Sequence, residues 1–222
     1  MSVQRPRIIV LATDNPHKVV ELRGMLAALS APVEVRSRPG WVDDVDETGT
    51  TFAANADLKA IAVAGAVGEW SLADDSGLEV DALGGAPGVR SARYAADLAA
   101  ADGGAVVGGN STDEANRLAL SARLAALGVA GEPTARFRCA LTLADPDGRV
   151  VMRTEGVVEG RIVSRARGDG GFGYDPMFVP NDGDGSTFAQ MDPDAKAAIS
   201  HRGRALAELL ARLDAAGWFG PA

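Results

Sequence analysis

Several short stretches of this chain carry side chains whose types and spacing suit a phosphorylated ligand. In Thr13-Asp14-Asn15-Pro16-His17-Lys18, a polar turn leads from an apolar run into a helical pattern. Asn15 suits an N-cap and Pro16 suits the first helical position. A helix start leaves backbone N–H groups unsatisfied and favours an anion. Lys18 adds a full positive charge in the first turn, where the helix dipole alone favours an acid. The functional reading is phosphate binding; ordinary capping with a solvated lysine is the plainer one. The G-x-x-x-x-G-K-[ST] pattern of a P-loop is absent.

Two acidic stretches could hold a cation. Asp74 and Asp75 adjoin one another at the end of a short apolar run, Trp70 to Ala73. Neighbours in extended chain face opposite ways. A turn at Ser76-Gly77 is expected to bring at least one of these acids to a cleft. Mg²⁺ takes oxygen ligands, commonly one or two carboxylates plus substrate phosphate. Asp43-Asp44-Val45-Asp46-Glu47 is a second acidic run. Such a run is usually a solvated face, yet one member could complete the cation site. Lys59 could then face the same cleft and balance phosphate charge.

A third kind of site could receive a flat ring. Gly170-Gly171-Phe172-Gly173-Tyr174-Asp175-Pro176 combines glycines, which allow close backbone approach, with an aromatic face at Phe172 and an acceptor at Asp175. The alternative is a tight loop whose aromatics plug the core. Lys196 and Ser200-His201-Arg202-Gly203 lie around the start of the last helical pattern. A His–Arg pair there suits an anion or a base carbonyl, although a lone histidine is more often structural. Phosphate donors, metal acids and a base platform together form the inventory of a nucleotide-cleaving enzyme.

These groups need elements to position them. Ile8 to Ala12 reads as a buried strand. Leu22, Met25, Leu26 and Leu29 then repeat at helical spacing. A second helix is expected from about Thr51, with Ala54, Leu58, Ile61, Ala62 and Gly65 along one side. Asn55 and Lys59, four apart, share another side. Ser111 and Glu114 predict a capping box, followed by a seam of Leu120, Leu124 and Leu127 and a stop at Gly128. Phe137 to Leu143 alternates like a half-buried strand. Asp145 to Gly148 is a turn, and Val150 to Val158 the return strand. Met177 to Val179 is a further strand, Asn181 to Ser186 a polar surface loop. The last helix runs from about Ser200 to Ala215, with Leu206, Leu209, Leu210 and Leu213 as its seam. Such a mixture of βα units and a hairpin predicts an α/β fold on a mixed sheet.

The bulk composition narrows the class. At 222 residues the chain suits one domain, whole or split into two lobes by a cleft. A net charge of −8 disfavours nucleic acid and anionic membrane as partners. A single cysteine, Cys139, suits a reducing compartment. The first residues show no apolar signal region and no long apolar run follows, so the cytoplasm is expected.

As an ordered set, the motifs resemble the inosine triphosphate pyrophosphatases. The matching pieces are Ala12 to Lys18 with Glu21; Glu47-Thr48-Gly49 with Phe52, Asn55 and Leu58-Lys59-Ala60; Ala73 to Leu78; Gly84 to Gly88; Ser91 to Tyr94; Gly171 to Pro176; and Ser200 to Gly203. The resemblance spans nearly the whole chain. It implies a single elongated α/β domain over residues 1–222, with two lobes around a central cleft, and a homodimer. It implies cleavage of inosine, deoxyinosine and xanthosine triphosphates to monophosphate and pyrophosphate, with Mg²⁺. Carried onto this sequence, Thr13, Asn15 and Lys18 resemble triphosphate ligands within a phosphate loop that also holds Asp14, Pro16 and His17, and Lys59 assists. Glu47 and Asp75 resemble metal ligands, and Asp75 the proton acceptor. Ser76 resembles a substrate contact. Phe172, Gly173, Tyr174 and Asp175 resemble the base-binding loop, and Lys196, His201 and Arg202 the readers of the purine 6-keto edge. Asp14 departs from the pattern, since many relatives carry a small neutral residue there. An acid at that position repels phosphate unless it points away. A pyrophosphatase for modified pyrimidine nucleotides and a nucleotide-binding module without turnover are the competing functions.

Overall fold

Helix caps and apolar alternation set the element boundaries. The computed structural model describes residues 7–27, 33–103 and 109–218. In chain order they form β1 (Arg7–Leu11), α1 (Pro16–Ala27), β2 (Val33–Ser37), α2 (Phe52–Val67), β3 (Trp70–Val80), α3 (Tyr94–Ala101), α4 (Asp113–Ala126), β4 (Thr134–Ala144), β5 (Val150–Ile162), β6 (Phe178–Pro180), α5 (Pro193–Ile199) and α6 (His201–Ala215). The strands make one sheet in the order β2-β1-β3-β4-β5-β6. β1 runs parallel to β2 and β3, whereas β5 and β6 are antiparallel. The fold is therefore α/β on a mixed sheet, as the sequence pattern implies. Leu29, expected on α1, and the residues before Arg7 lie outside the described residues.

The chain divides into two compact units. The first takes residues 1–75, 139–156 and 202–222; the second takes 76–138 and 157–201. β3, β4 and β5 each contribute residues to both.

In the first unit, Ile9, Leu11, Leu22, Leu26, Leu72, Cys139, Leu141, Leu206, Leu209 and Leu213 form the core. The apolar seams of α1 and α6 face it as expected. The face of α2 does not. Phe52, Asn55, Ala56, Ala60, Val63 and Ala64 are buried, while Leu58 and Ile61 are exposed. Both sets fit a helical repeat, because alanine recurs all around this helix. The small side chains let the helix lie close to its neighbours and turn Asn55 inward. Thr51 caps the start, accepting from Ala54 N–H at 3.1 Å, and Gly68 ends the helix with φ of 66°.

β3 also differs from expectation. It does not turn at Ser76-Gly77 but continues for eleven residues to Val80. Charge would end a buried strand if it were left unpaired; here both acids have cations, so the ladder runs on.

In the second unit, Leu78, Val80, Tyr94, Leu120, Leu124, Val158, Ile162, Tyr174, Met177, Phe178 and Phe188 form the core. Phe137 packs among them, 4.7 Å from Phe178 and 6.0 Å from Phe188 between ring centroids. α4 starts one residue later than the capping-box reading. Thr112 accepts from Ala115 N–H at 3.2 Å, and Ser111 instead accepts from Ala96 N–H at 3.1 Å. Leu127 falls off the seam and is exposed. β2, α3 and α5 were not anticipated, being short or alanine-rich, and β5 runs on past Val158. Among the described residues, no helix is long and apolar enough to cross a membrane.

The two faces of α2 give a paired test. Ala60→Leu overpacks the buried face and is expected to lower stability by about 1–3 kcal/mol. Ala62→Leu, on the exposed face, is expected to stay within about 0.5 kcal/mol. Urea unfolding measures both, and equal effects would refute the assignment of faces.

Candidate active site

The phosphate-loop, acid and lysine groups belong to the first unit. Asn15 caps α1, its Oδ1 accepting from His17 N–H at 2.9 Å and Lys18 N–H at 3.3 Å. Thr13 Oγ1 in turn accepts from Asn15 N–H at 3.2 Å. These bonds fix the turn, with Pro16 and His17 exposed at its tip. Asp14 is turned onto Arg38, whose guanidinium bonds its carboxylate. The same guanidinium reaches Asp44 Oδ1 at 2.6 Å and the Val42 carbonyl at 2.6 Å. Arg38 therefore neutralises the acid in the phosphate loop and ties that loop to the segment leading to Glu47.

Asp74 and Asp75 face opposite ways from β3, as strand geometry requires. Asp74 is fully buried. Lys18 Nζ lies 2.5 Å from its Oδ1, Arg202 Nε donates to Oδ2 at 2.8 Å, and the Cys139 thiol donates to Oδ2 at 3.0 Å. Burial opposes the charge on Asp74, but Arg202 and Lys18 outweigh it and hold the carboxyl well below the usual aspartate range. Arg202 also donates to Glu21 Oε2 at 2.5 Å. Its guanidinium is thus placed with Lys18 on Asp74, not with the groups expected to read a base. Burial pushes the Cys139 thiol well up.

Asp75 engages a different cation. Lys59 Nζ lies 2.8 Å from Asp75 Oδ1, 2.8 Å from Glu47 Oε1 and 2.9 Å from the Asp74 carbonyl. Asn55 bridges the arrangement, donating to Asp75 Oδ2 at 3.3 Å and accepting from Gly49 N–H at 2.8 Å. Burial raises the Asp75 carboxyl above its ordinary value, against the pull of Lys59 and Lys18. Burial also acts against the Lys59 ammonium, but Asp75 and Glu47 outweigh it and its pKa is raised. Two carboxylates and a carbonyl converging on one ammonium are a hard-oxygen donor set. It is the kind Mg²⁺ shares with substrate phosphate and water. Among the described residues, no cluster of three or more His, Cys, Asp or Glu side chains suits a metal ion. Glu47 and Asp75 are a two-carboxylate set.

The glycine-rich loop belongs to the second unit. Asp175 Oδ2 accepts from Phe172 N–H at 2.8 Å and from Lys196 Nζ at 2.6 Å. Both Asp175 and Lys196 are buried. Gly171 allows this closure: a Cβ there would stand 2.1 Å from Asp175 Oδ2. Lys196 Nζ lies 5.0 Å from the centroid of the partly exposed Phe172 ring. Tyr174 instead points into the core, its hydroxyl donating to the Ser91 carbonyl at 3.0 Å, and burial pushes that hydroxyl's pKa up. It offers backbone, not a ring, to any ligand. His201 is buried and stacks on Phe137 at 4.8 Å. Ser76 is partly exposed, directly after Asp75 in β3.

Arg38 and the bridging role of Asn55 were missed by sequence reasoning. Asn55 had a signal, its spacing of four from Lys59. Arg38 had none, lying 24 residues from Asp14.

The Ham1 family model matches residues 9–212. The chain belongs to the Ham1 family. Among its relatives is a dITP/XTP pyrophosphatase of Gloeobacter violaceus, 48% identical over 204 residues, or 92% of this chain and 93% of that protein. A HAM1 protein from Coxiella burnetii superposes with a TM-score of 0.78 at 37% identity, covering 94% of this chain and 98% of that one. A nucleoside-triphosphatase, dITP/XTP pyrophosphatase from Mycobacterium abscessus, superposes with a TM-score of 0.65 at 39% identity, covering 91% and 98%.

In this Ham1-family chain Asp74 is a fully buried charge held by two cations. Its depressed pKa stabilises the fold above the ordinary aspartate value, and that contribution is lost as pH falls through the depressed one. Asp74→Asn is expected to cost about 3–5 kcal/mol at pH 7, because it leaves buried cations uncompensated. The penalty should shrink below about pH 3.9. Urea midpoints at pH 7 and pH 3 measure it, and an equal loss at both would contradict the ion-pair account.

Proposed function

We propose that this protein hydrolyses non-standard purine nucleoside triphosphates, of the ITP, dITP and XTP kind, to the monophosphate and pyrophosphate. The observation that carries the reading is the Lys59 ammonium held between Glu47 and Asp75 at 2.8 Å each. That arrangement sets a proton acceptor, a cation and a second carboxylate together. The names of the relatives agree with it.

Glu47 and Asp75 would hold Mg²⁺, which when bound supplies charge neutralisation for the phosphates and acidifies a water molecule. Asp75, made more basic by burial, accepts the proton of the attacking water. The water oxygen bonds to the α- or β-phosphorus, the α–β bridge breaks, and the electron pair leaves with the bridging oxygen. Either point of attack gives the same products. Attack at α expels pyrophosphate and attack at β expels the monophosphate; in either case Lys18 and Lys59 offset charge on the phosphates. Thr13 and Asn15 hold the phosphate turn in shape, and Ser76 contacts the substrate beside Asp75.

Base selection follows from the Lys196–Asp175–Phe172 group. Phe172 offers a stacking face, and the Lys196 ammonium stands beside it as a donor for a 6-keto oxygen, with His201 from the same unit. Adenine carries a 6-amino donor there. A donor left facing a donor costs on the order of 1–3 kcal/mol, or roughly 10–100-fold. Guanine also has a 6-keto group, so rejecting GTP needs a further check at position 2. The working form is proposed to be a cytoplasmic homodimer. The lone, buried cysteine suits a reducing compartment, and the dimer follows from the family resemblance.

Incubation with ITP, XTP, GTP and ATP plus Mg²⁺, with products resolved by chromatography, tests the reading. Pyrophosphate from ITP and XTP is expected, with ATP the poorer substrate by roughly 10–100-fold. Orthophosphate in its place would rule out the cleavage site, and tight ITP binding without turnover would indicate a binding module. Asp75→Asn is expected to fold and to lose about 10²–10⁴-fold in kcat. Unchanged turnover would remove Asp75 from its role.

A further inference from the structure

Helix α4 grips the glycine-rich loop through two side chains one turn apart. Asp113 Oδ2 accepts from the Gly173 N–H at 2.6 Å, and Arg117 Nη1 donates to the Gly173 carbonyl at 2.7 Å. Positions i and i+4 share a helix face, so a carboxylate and a guanidinium bracket a single residue. Each matches the polarity of the backbone group it meets, and charge-assisted bonds of this kind are the stronger ones. The peptide planes on both sides of Gly173 are thereby fixed. Gly173 has φ of 60°, a conformation side-chain-bearing residues rarely adopt.

The grip is rigid at its other end. Between the two, Asn116 Oδ1 accepts from Ala95 N–H at 3.0 Å and its Nδ2 donates to the Ala92 carbonyl at 3.1 Å. Leu120 and Leu124 of the same helix are buried in the core. On the loop side, Tyr174 and Asp175 are buried. Phe172 is the one large side chain of residues 172–175 left partly exposed. Whatever fixes Gly173 fixes the direction of that ring. Both backbone polar groups of Gly173 are also engaged by α4.

We propose that Asp113 and Arg117 are positioning residues for base recognition: they set the face that Phe172 presents to a purine ring without contacting the nucleotide. The assignment rests on the nucleotide reading above. A stacking surface contributes only in a fixed orientation, and small misplacements at such a site are expensive.

Steady-state kinetics with ITP provide the test. Asp113→Ala and Arg117→Ala are each expected to raise KM about tenfold, with kcat changed far less, the pattern of lost binding common to ground and transition states. Asp113→Asn keeps an acceptor oxygen and is expected to stay within about threefold of the parent, since the hydrogen bond and not the charge is required. Glu114→Ala, an exposed neighbour on the same turn, should leave KM unchanged. Amide exchange at Gly173 should accelerate in the two alanine variants. Unchanged KM in both, with parent-like folding, would overturn the proposal, as would a loss of melting temperature with no change in KM. Should the alanine variants fail to fold, Arg117→Met decides: it keeps the apolar stem but has no donor for the Gly173 carbonyl, and a parent-like KM and Gly173 exchange would overturn the proposal. If the parent releases no pyrophosphate from any triphosphate, the nucleotide reading fails first and takes this assignment with it. A normal KM in variants of an active parent sinks this assignment alone.

Discussion

A carboxylate with no exposure stays ionised only if cations come inside with it, and Asp74 imposes that condition on the first unit. It draws Lys18 from the start of α1 and Arg202 from the start of α6 onto one residue of β3. Glu21 completes the group by taking the other side of Arg202. Two acids and two bases then balance. The balance explains how α1 can carry a lysine in its first turn, where the helix dipole disfavours one. Lys18 is held by Asp74, and the phosphate turn inherits its position from a buried ion pair.

The next residue creates the opposite situation. With both acids ionised, Asp75 and Glu47 outnumber Lys59, leaving one net negative charge where the proposed substrate brings a polyanion. A divalent cation held by these carboxylates would reverse that sign. In the proposed mechanism this acid excess is the reason to place Mg²⁺ there. It also explains why Asp75, unlike Asp74, has its pKa raised: its partners do not overcome burial. Adjacent carboxylates on one strand therefore shift in opposite directions, Asp74 held ionised by its cations and Asp75 raised by burial. Environment alone separates them.

Much of this was legible in the sequence where the signal is local. The Asn15 cap, the opposite facing of Asp74 and Asp75, and the α6 seam all follow from rules acting over a few residues. What was illegible depends on distant partners or on degenerate patterns. The burial of α2 could not be read because alanines satisfy the helical period on both faces, so the larger Leu58 and Ile61 misdirected the choice. β3 was expected to stop at two charges because their cations come from α1, α2 and α6, far along the chain. Asp14 looked like a repulsive defect for the same reason: Arg38, which answers it, carries no marker in its own neighbourhood.

His201 and Arg202 show the limit most clearly. Adjacent in sequence, they look like one unit for reading one base edge. Successive residues on a helix point about 100° apart, and the pair divides accordingly. The histidine ring stacks on Phe137 among the aromatics of the second unit; the guanidinium goes to Asp74 and Glu21 in the first. A guanidinium so bonded and buried would have to abandon the carboxylates of Asp74 and Glu21 to meet a base. Breaking buried pairs of this kind is costly, whereas the Lys196 ammonium already stands beside the Phe172 ring. Within the proposed function, the reading of a 6-keto oxygen is therefore assigned to Lys196 and not to Arg202. Arg202 would act on the nucleotide only through the position it gives Asp74 and, by way of Asp74, Lys18.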